Sequence, residues 1–334
     1  MTRLPVINIL INVVFSFFSA IYILLKKPDV VVVSIPPSDI VLSTFIVSRI
    51  IRALFVVDMR DPAEEVIVYK ASKSFEKLFA KIFQKINYSI YRRADIVTVV
   101  TDKMKAILES RGVKSIVIPN GADLTIFKPL EDYGQRKSLD TNRSLTLVFS
   151  GTAAEYYDLK PLIFLTKIFN SKKICNIKLL LVGSIKKDLE NFIHRLCIAD
   201  YVHYLGFYPP EKLAKDVLPR CDIGVIPRAD EAIYDYAIPA KFYEYVASGL
   251  PVLAICRKES ALAEIILRYG VGWICEPKDY QCIISTLKEV CLNRDIVKAK
   301  RENALKLRKR IDRRMQAYKF LTMLEALLKY RNYK

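Results

Sequence analysis

The densest concentration of chemically useful residues is Pro239-Ala240-Lys241-Phe242-Tyr243-Glu244-Tyr245-Val246-Ala247-Ser248-Gly249-Leu250-Pro251-Val252. Pro239 suits the first turn of a helix, where a missing N–H costs nothing. Lys241 and Glu244 stand three apart, hence on one side of that helix. Gly249 suits its end, and Pro251 the start of a following strand. A helix that begins in a cleft offers free N–H groups and a positive dipole end to a diphosphate. Lys241 would add a point charge there, and Glu244 can accept two hydrogen bonds from a ribose diol. An isolated Lys-x-x-Glu is a pair on a solvated helix face. The position between two strand-like runs, with Gly-x-Pro behind it, argues for a ligand site instead.

A second constellation is Asp58-Met59-Arg60-Asp61-Pro62, which follows an apolar run. Carboxylates flanking Arg60 at a strand end can orient a hydroxyl or stabilise a leaving phosphate, with Arg60 and Asp61 in catalytic roles. A structural Arg–Asp clamp that fixes the loop is the alternative. His194 and His203 are the two histidines, and both read as packing or surface residues. No Asp-x-Asp at a strand end offers a magnesium site, so neither metal nor cofactor is expected. All seven cysteines fall between Cys175 and Cys291 without a Cys-x-x-Cys pair. That is neither a disulfide framework nor a zinc spacing, and it reads as core thiols in a reducing compartment.

The elements that must position these residues alternate. Short apolar runs at Val30–Ser34, Leu54–Asp58, Ile96–Val100 and Ser115–Ile118 form one series. Leu145–Ser150, Lys178–Val182, Tyr201–Leu205, Ile223–Ile226, Val252–Ile255 and Gly272–Ile274 form another. Continuous apolar strands separated by helices imply parallel, doubly wound α/β sheets covered on both faces. The 334 residues fit two domains. The borders expected are 1–135 and 136–315, with a C-terminal helix over 316–334. Polar residues 127–142 would join the domains. In such sheets ligands bind beyond the carboxyl ends of the strands. The first series has only four strands and opens with a helix, as a shortened domain would.

The net charge of +18 calls for an anionic partner. No zinc finger, RNA-binding signature or heptad-linked basic region is present, which argues against nucleic acid. Val6–Leu25 is apolar over about 20 residues, enough for a single N-terminal span. Asn8, Asn12, Ser16 and Ser19 share one helical face, however, which suits a helix packed on a sheet or lying in a membrane interface. Lys70, Lys73, Lys77, Lys81 and Lys85 interleave with Phe75, Leu78, Phe79, Ile82, Phe83 and Ile86. That basic amphipathic pattern suits an anionic membrane surface, or else a helix face packed on its own domain. A cytoplasmic protein peripheral to the membrane is expected.

From Val30 onward the chain resembles the retaining GT-B glycosyltransferases of family 4, with residues 239–252 as the specific segment. The fold implied is two Rossmann-like doubly wound domains facing an interdomain cleft, with the C-terminal helix crossing back. Glu244 matches the second glutamate of the family's E-x7-E motif, which implies a hold on the donor ribose. The first would fall at Tyr236, where no acid stands. Ile118-Pro119-Asn120-Gly121-Ala122-Asp123 with Phe127 is similar to the family's P-N-G-x-D…F turn. Gly151 and Thr152 lie where the family has a glycine loop facing the phosphates. Thr152 and Asp158 replace that loop's Arg and Lys, which leaves Lys241 as the main phosphate cation. Phe207 resembles the loop beside the nucleotide base. The resemblance implies transfer of a sugar from a nucleotide-sugar to a lipid-linked or polysaccharide acceptor, with retention and without a metal. The short first domain and Tyr236 support an alternative, a catalytically impaired nucleotide-sugar-binding or scaffolding subunit.

Overall fold

The computed structural model describes residues 5–129 and 144–332. The expected joining segment, 127–142, falls mostly outside them. All the expected strands form, and every pairing between them is parallel. By internal contacts the chain separates into one unit of Met1–Pro119 with Ala317–Lys334, and a second of Asn120–Gln316. The residues from Asn120 onward lie with the second unit: Ala122 N donates to Ile311 O at 2.9 Å and Arg313 N to Ala122 O at 3.0 Å.

The first unit runs α1 (Pro5–Lys26), β1 (Val30–Ile35), α2 (Val41–Ile50), β2 (Leu54–Met59), α3 (Ala63–Lys70), α4 (Ser74–Tyr91), β3 (Ile96–Val99), α5 (Asp102–Ser110) and β4 (Ile116–Val117). Its sheet has the order β1-β2-β3-β4, so β1 is an edge strand among the described residues. β2 is buried at every position, as a strand covered on both faces should be. On β1, by contrast, Val32 remains 44% exposed.

Two helices of this unit turn the wrong way for a water-facing domain. In α1, Asn12, Ser16 and Ser19 are half-buried while Phe15, Phe17, Phe18, Tyr22 and Leu25 are exposed. In α4, Gln84 and Asn87 are buried while Phe75, Leu78, Phe79 and Ile82 are exposed. The inward polar groups of α4 are satisfied by α3. Gln84 Nε2 donates to Glu65 at 2.8 Å, Tyr88 OH to Glu65 at 2.8 Å, and Asn87 Nδ2 to Glu64 at 3.1 Å. Tyr91 OH also donates to Glu64. Such bonds offset much of the desolvation cost of packing a polar face inward. Among the described residues no helix is long and apolar enough to cross a membrane.

The second unit runs β5 (Leu145–Ser150), α6 (Lys160–Ser171), β6 (Ile177–Val182), α7 (Lys187–Leu196), β7 (Val202–Gly206), β8 (Ile223–Pro227), α8 (Ala240–Ala247), β9 (Val252–Ile255), α9 (Ala261–Tyr269), β10 (Gly272–Cys275), α10 (Tyr280–Leu292), α11 (Arg294–Arg308) and the first turn of α12 (Arg313–Asn332). The strand order is β10-β9-β8-β5-β6-β7. Successive residues of β5 feed opposite cores, Val148 one and Leu147 with Phe149 the other. The winding direction reverses between β5 and β8, so a crevice must open beyond their carboxyl ends.

The cysteines correct the expectation of unpaired thiols. Cys175 is bonded to Cys291 and Cys275 to Cys282, while Cys197, Cys221 and Cys256 are free. The pairs join residues 116 and 7 positions apart. No local spacing motif announces them, because folding α10 beside β6 and β10 is what brings the sulfurs together.

Candidate functional site

The site assembles at the point where the sheet of the second unit reverses. Gly151 follows β5, Arg228 follows β8, and α8 starts behind Pro239, its half-buried N-cap residue. The turn after β5 is tied to α8, since Tyr245 OH accepts from Ser150 N at 2.8 Å and lies 3.1 Å from Ser150 Oγ. It is also crowded: Gly183 N donates to Gly206 O at 2.7 Å, and a Cβ on Gly183 would lie 2.3 Å from Gly151 O. Glycine at 183 is therefore a packing requirement, not a ligand. Gly249, at φ +75°, ends α8 in the left-handed conformation that glycine adopts without penalty.

Lys241 is 7% exposed. Its Nζ lies 3.6 Å from the centre of the Tyr157 ring and 3.8 Å from that of Phe149. A Cβ on Gly151 would meet the same Nζ at 3.6 Å. Burial pushes the ammonium pKa down to about 6; Glu244 opposes the shift and Arg228 adds to it. Ring faces attract a cation but replace only part of its lost hydration. Glu244 is half-buried, and burial raises its carboxyl pKa against the pull of Lys241 and Arg313. No ion pair joins Lys241 to Glu244, so the solvated Lys–Glu pair is not what the sequence builds. Lys241 instead faces aromatic rings and the Gly151 turn.

Arg228 is a residue that sequence reasoning missed. Its guanidinium lies 5.5 Å from the ring centres of Tyr156 and Tyr157 and 5.1 Å from that of Tyr234. Nη2 donates to Tyr234 O at 2.9 Å. Backbone bonds hold the two strand ends together, with Asp158 N to Pro227 O at 2.9 Å and Ala229 N to Tyr156 O at 3.0 Å. The available signal was an arginine directly after a buried strand, at its carboxyl end. Tyr236 is half-buried. Its neighbour Asp235 is taken by Arg257, whose Nε donates to it at 3.0 Å. Thr152 is exposed, and Ser184 Oγ lies 3.2 Å from its hydroxyl. Phe207, on the loop after β7, is 80% exposed. Among the described residues no group of three or more His, Cys, Asp or Glu is placed to hold a metal ion.

A family model of glycosyl transferases group 1 matches residues 134–311, and one of glycosyltransferase family 4 matches residues 3–126. The chain belongs to the group 1 glycosyltransferases. Over 277 residues it is 23% identical to a probable glycosyltransferase, WbjE, of Pseudomonas aeruginosa, covering 80% of this chain and 67% of that one. Sucrose-phosphate synthase of Thermosynechococcus elongatus superposes with a TM-score of 0.70 at 16% identity, covering 95% of this chain and 78% of that one. HepE of Anabaena, solved with UDP-glucose, gives 0.66 at 18% identity, over 92% of this chain and 82% of that one. These two likenesses establish the GT-B fold.

Within this glycosyltransferase the remaining candidates, Arg60 and Asp61, belong to the first unit. Arg60 Nε donates to Asp58 at 2.7 Å, and Thr98 Oγ1 donates to the other Asp58 oxygen at 2.7 Å. Arg60 N and Asp61 N donate to Ile35 O at 2.8 and 3.3 Å. This geometry is that of a clamp holding the loop after β2 against the end of β1. Asp61 is exposed beside it. Glu64, on the next turn, was not singled out from the sequence, yet it is buried and its Oε2 has no partner.

Proposed function

We propose that this glycosyltransferase moves a sugar from a nucleotide-sugar to a lipid-linked or polysaccharide acceptor at an anionic membrane surface, with retention at the anomeric carbon. The observation that carries the donor half is the buried, unpaired Lys241 against the Gly151 turn, at the reversal of the sheet. An ammonium without a counter-ion is costly to bury, so the free amine gives up its proton and an arriving anion restores it. Glu244, on the same helix, supplies an acceptor for ribose hydroxyls. In the reaction the bond from the anomeric carbon to the diphosphate oxygen breaks, and its electron pair leaves on the diphosphate. The acceptor oxygen bonds to that carbon and gives up its proton to the departing diphosphate or to water. Lys241 and the N-terminal end of α8 stabilise the charge that develops on the leaving group. Arg60 and Asp61 are assigned to the acceptor side, where they orient the acceptor hydroxyl.

The membrane half of the proposal rests on α1 and α4, whose apolar faces are exposed beside Lys26, Lys77, Lys81 and Lys85. Exposed apolar patches rimmed by lysine match an anionic lipid interface. Turnover tests the proposal. The protein is incubated with UDP-, GDP- and ADP-sugars and a membrane extract, and release of nucleoside diphosphate is followed. Activity with one donor, lost in Lys241→Ala, is expected. Tight donor binding with no release in any extract would overturn the catalytic reading.

A further inference from the structure

We infer that Arg228 is the second cation of the donor site, so that the diphosphate is held jointly by the Arg228 guanidinium and the Lys241 ammonium, both resting against Tyr157. The inference deepens the proposed donor reading and rests on it. Asp230, two residues on from Arg228, is bonded to Lys278 at 2.9 Å and lies 3.8 Å from Arg257. Asp235 is bonded to Arg257. Asp158 accepts from Lys160 N at 3.2 Å. None of these carboxylates pairs with Arg228, whose partners are three tyrosine rings, the Tyr234 carbonyl and the Tyr157 hydroxyl, which leaves further N–H groups of its five to meet a phosphate.

A guanidinium stacked on rings keeps its N–H edge available, and that edge matches two oxygens of a phosphate at once. Arg228 and Lys241 are also close enough that Arg228 pushes Lys241 toward its neutral form. Two basic groups against one ring form a site for a dianion once Lys241 takes up its proton. The positions that carry cations on the glycine loop of relatives hold Thr152 and Asp158 here. Arg228 and Lys241 restore two positive charges from a different strand and helix. Because Lys241 is discharged in the free protein, an arriving diphosphate should recharge it, and binding should take up a proton.

Calorimetry with UDP, GDP and ADP at pH 7.5, in buffers of different ionisation enthalpy, tests this on the wild type, Arg228→Gln and Arg228→Lys. For the nucleotide that binds, Arg228→Gln should weaken affinity roughly 10- to 100-fold, as loss of a charge-assisted contact does. Arg228→Lys should recover part of the loss. The parent nucleoside, followed by saturation-transfer NMR, should bind all three proteins alike. Proton uptake should approach one per nucleotide in the wild type and persist for whatever nucleotide Arg228→Gln still binds, because burial, not Arg228, is the main cause of the discharge. Unchanged diphosphate affinity in Arg228→Gln overturns the inference and leaves the donor reading standing. Equal losses for nucleoside and diphosphate also overturn it, since Arg228 would then only support the fold. A wild type that binds none of the three nucleotides removes both readings together.

Discussion

Burying Lys241 withholds an ammonium group from water, and the unliganded protein carries that cost. Folding lowers its pKa from 10.5 to about 6. Between those values the unfolded chain binds the extra proton, so this residue makes stability rise with pH from about 6 upward and level off beyond its unfolded pKa. Lys241→Met should flatten that rise and raise the melting temperature of the free protein at pH 7 by several degrees, a gain of a few kcal/mol at most. The same variant should lose nucleotide binding. Calorimetric melting with and without nucleotide checks both, and an unchanged melting temperature together with unchanged affinity would refute the account. Lys241 and Glu244 were legible in the sequence because proline, glycine and two strands frame them. Arg228 was not. Tyr234 lies six residues on in the same loop, but Tyr156 and Tyr157 come from the loop after β5, and only the order of the sheet brings β5 beside β8.

At the scale of elements, α10 is fastened at both ends, through Cys282 to the end of β10 and through Cys291 to the residue pair before β6. A crosslink removes more freedom from the unfolded chain when it closes a longer loop. The bridge that spans 116 positions should be worth about 5 kcal/mol on the chain-entropy model, and the one that spans 7 about 2 kcal/mol. Cys175→Ala should therefore lower the melting temperature about twice as much as Cys282→Ala under oxidising conditions. Thiol titration with paired melts checks this, and equal effects would contradict it. The strands themselves were legible almost to the residue, because runs such as Leu54–Met59 are buried on both faces and stay apolar throughout. The direction in which α1 and α4 face was not. An amphipathic pattern reports that two faces differ. It does not say that Glu64 and Glu65 wait below to receive Gln84, Asn87, Tyr88 and Tyr91.

For the whole molecule, the proposed membrane contact draws on both the +18 charge and the outward apolar faces. Sedimentation with vesicles should show binding to phosphatidylglycerol-containing membranes, little to phosphatidylcholine alone, and release as salt rises. Phe79→Asp with Lys81→Glu should abolish it while leaving nucleotide affinity intact. Equal binding to both vesicle types would remove the electrostatic half of the argument. Composition called for an anionic partner. It could not say where the charge meets apolar surface, because that depends on which helix faces point outward. The edge of the first sheet has a different consequence. Val30–Ile35 pairs with β2 on one side, contains neither lysine nor proline, and leaves Val32 exposed. Such an unguarded ladder is a template for another copy of itself. Protein concentration then becomes a variable of the system in its own right. Light scattering should grow with concentration and time for the wild type and stay flat for Val32→Lys, and identical curves would mean the edge is inert. Handling conditions chosen for the transfer reaction would otherwise be measuring how much of the protein is still monomeric.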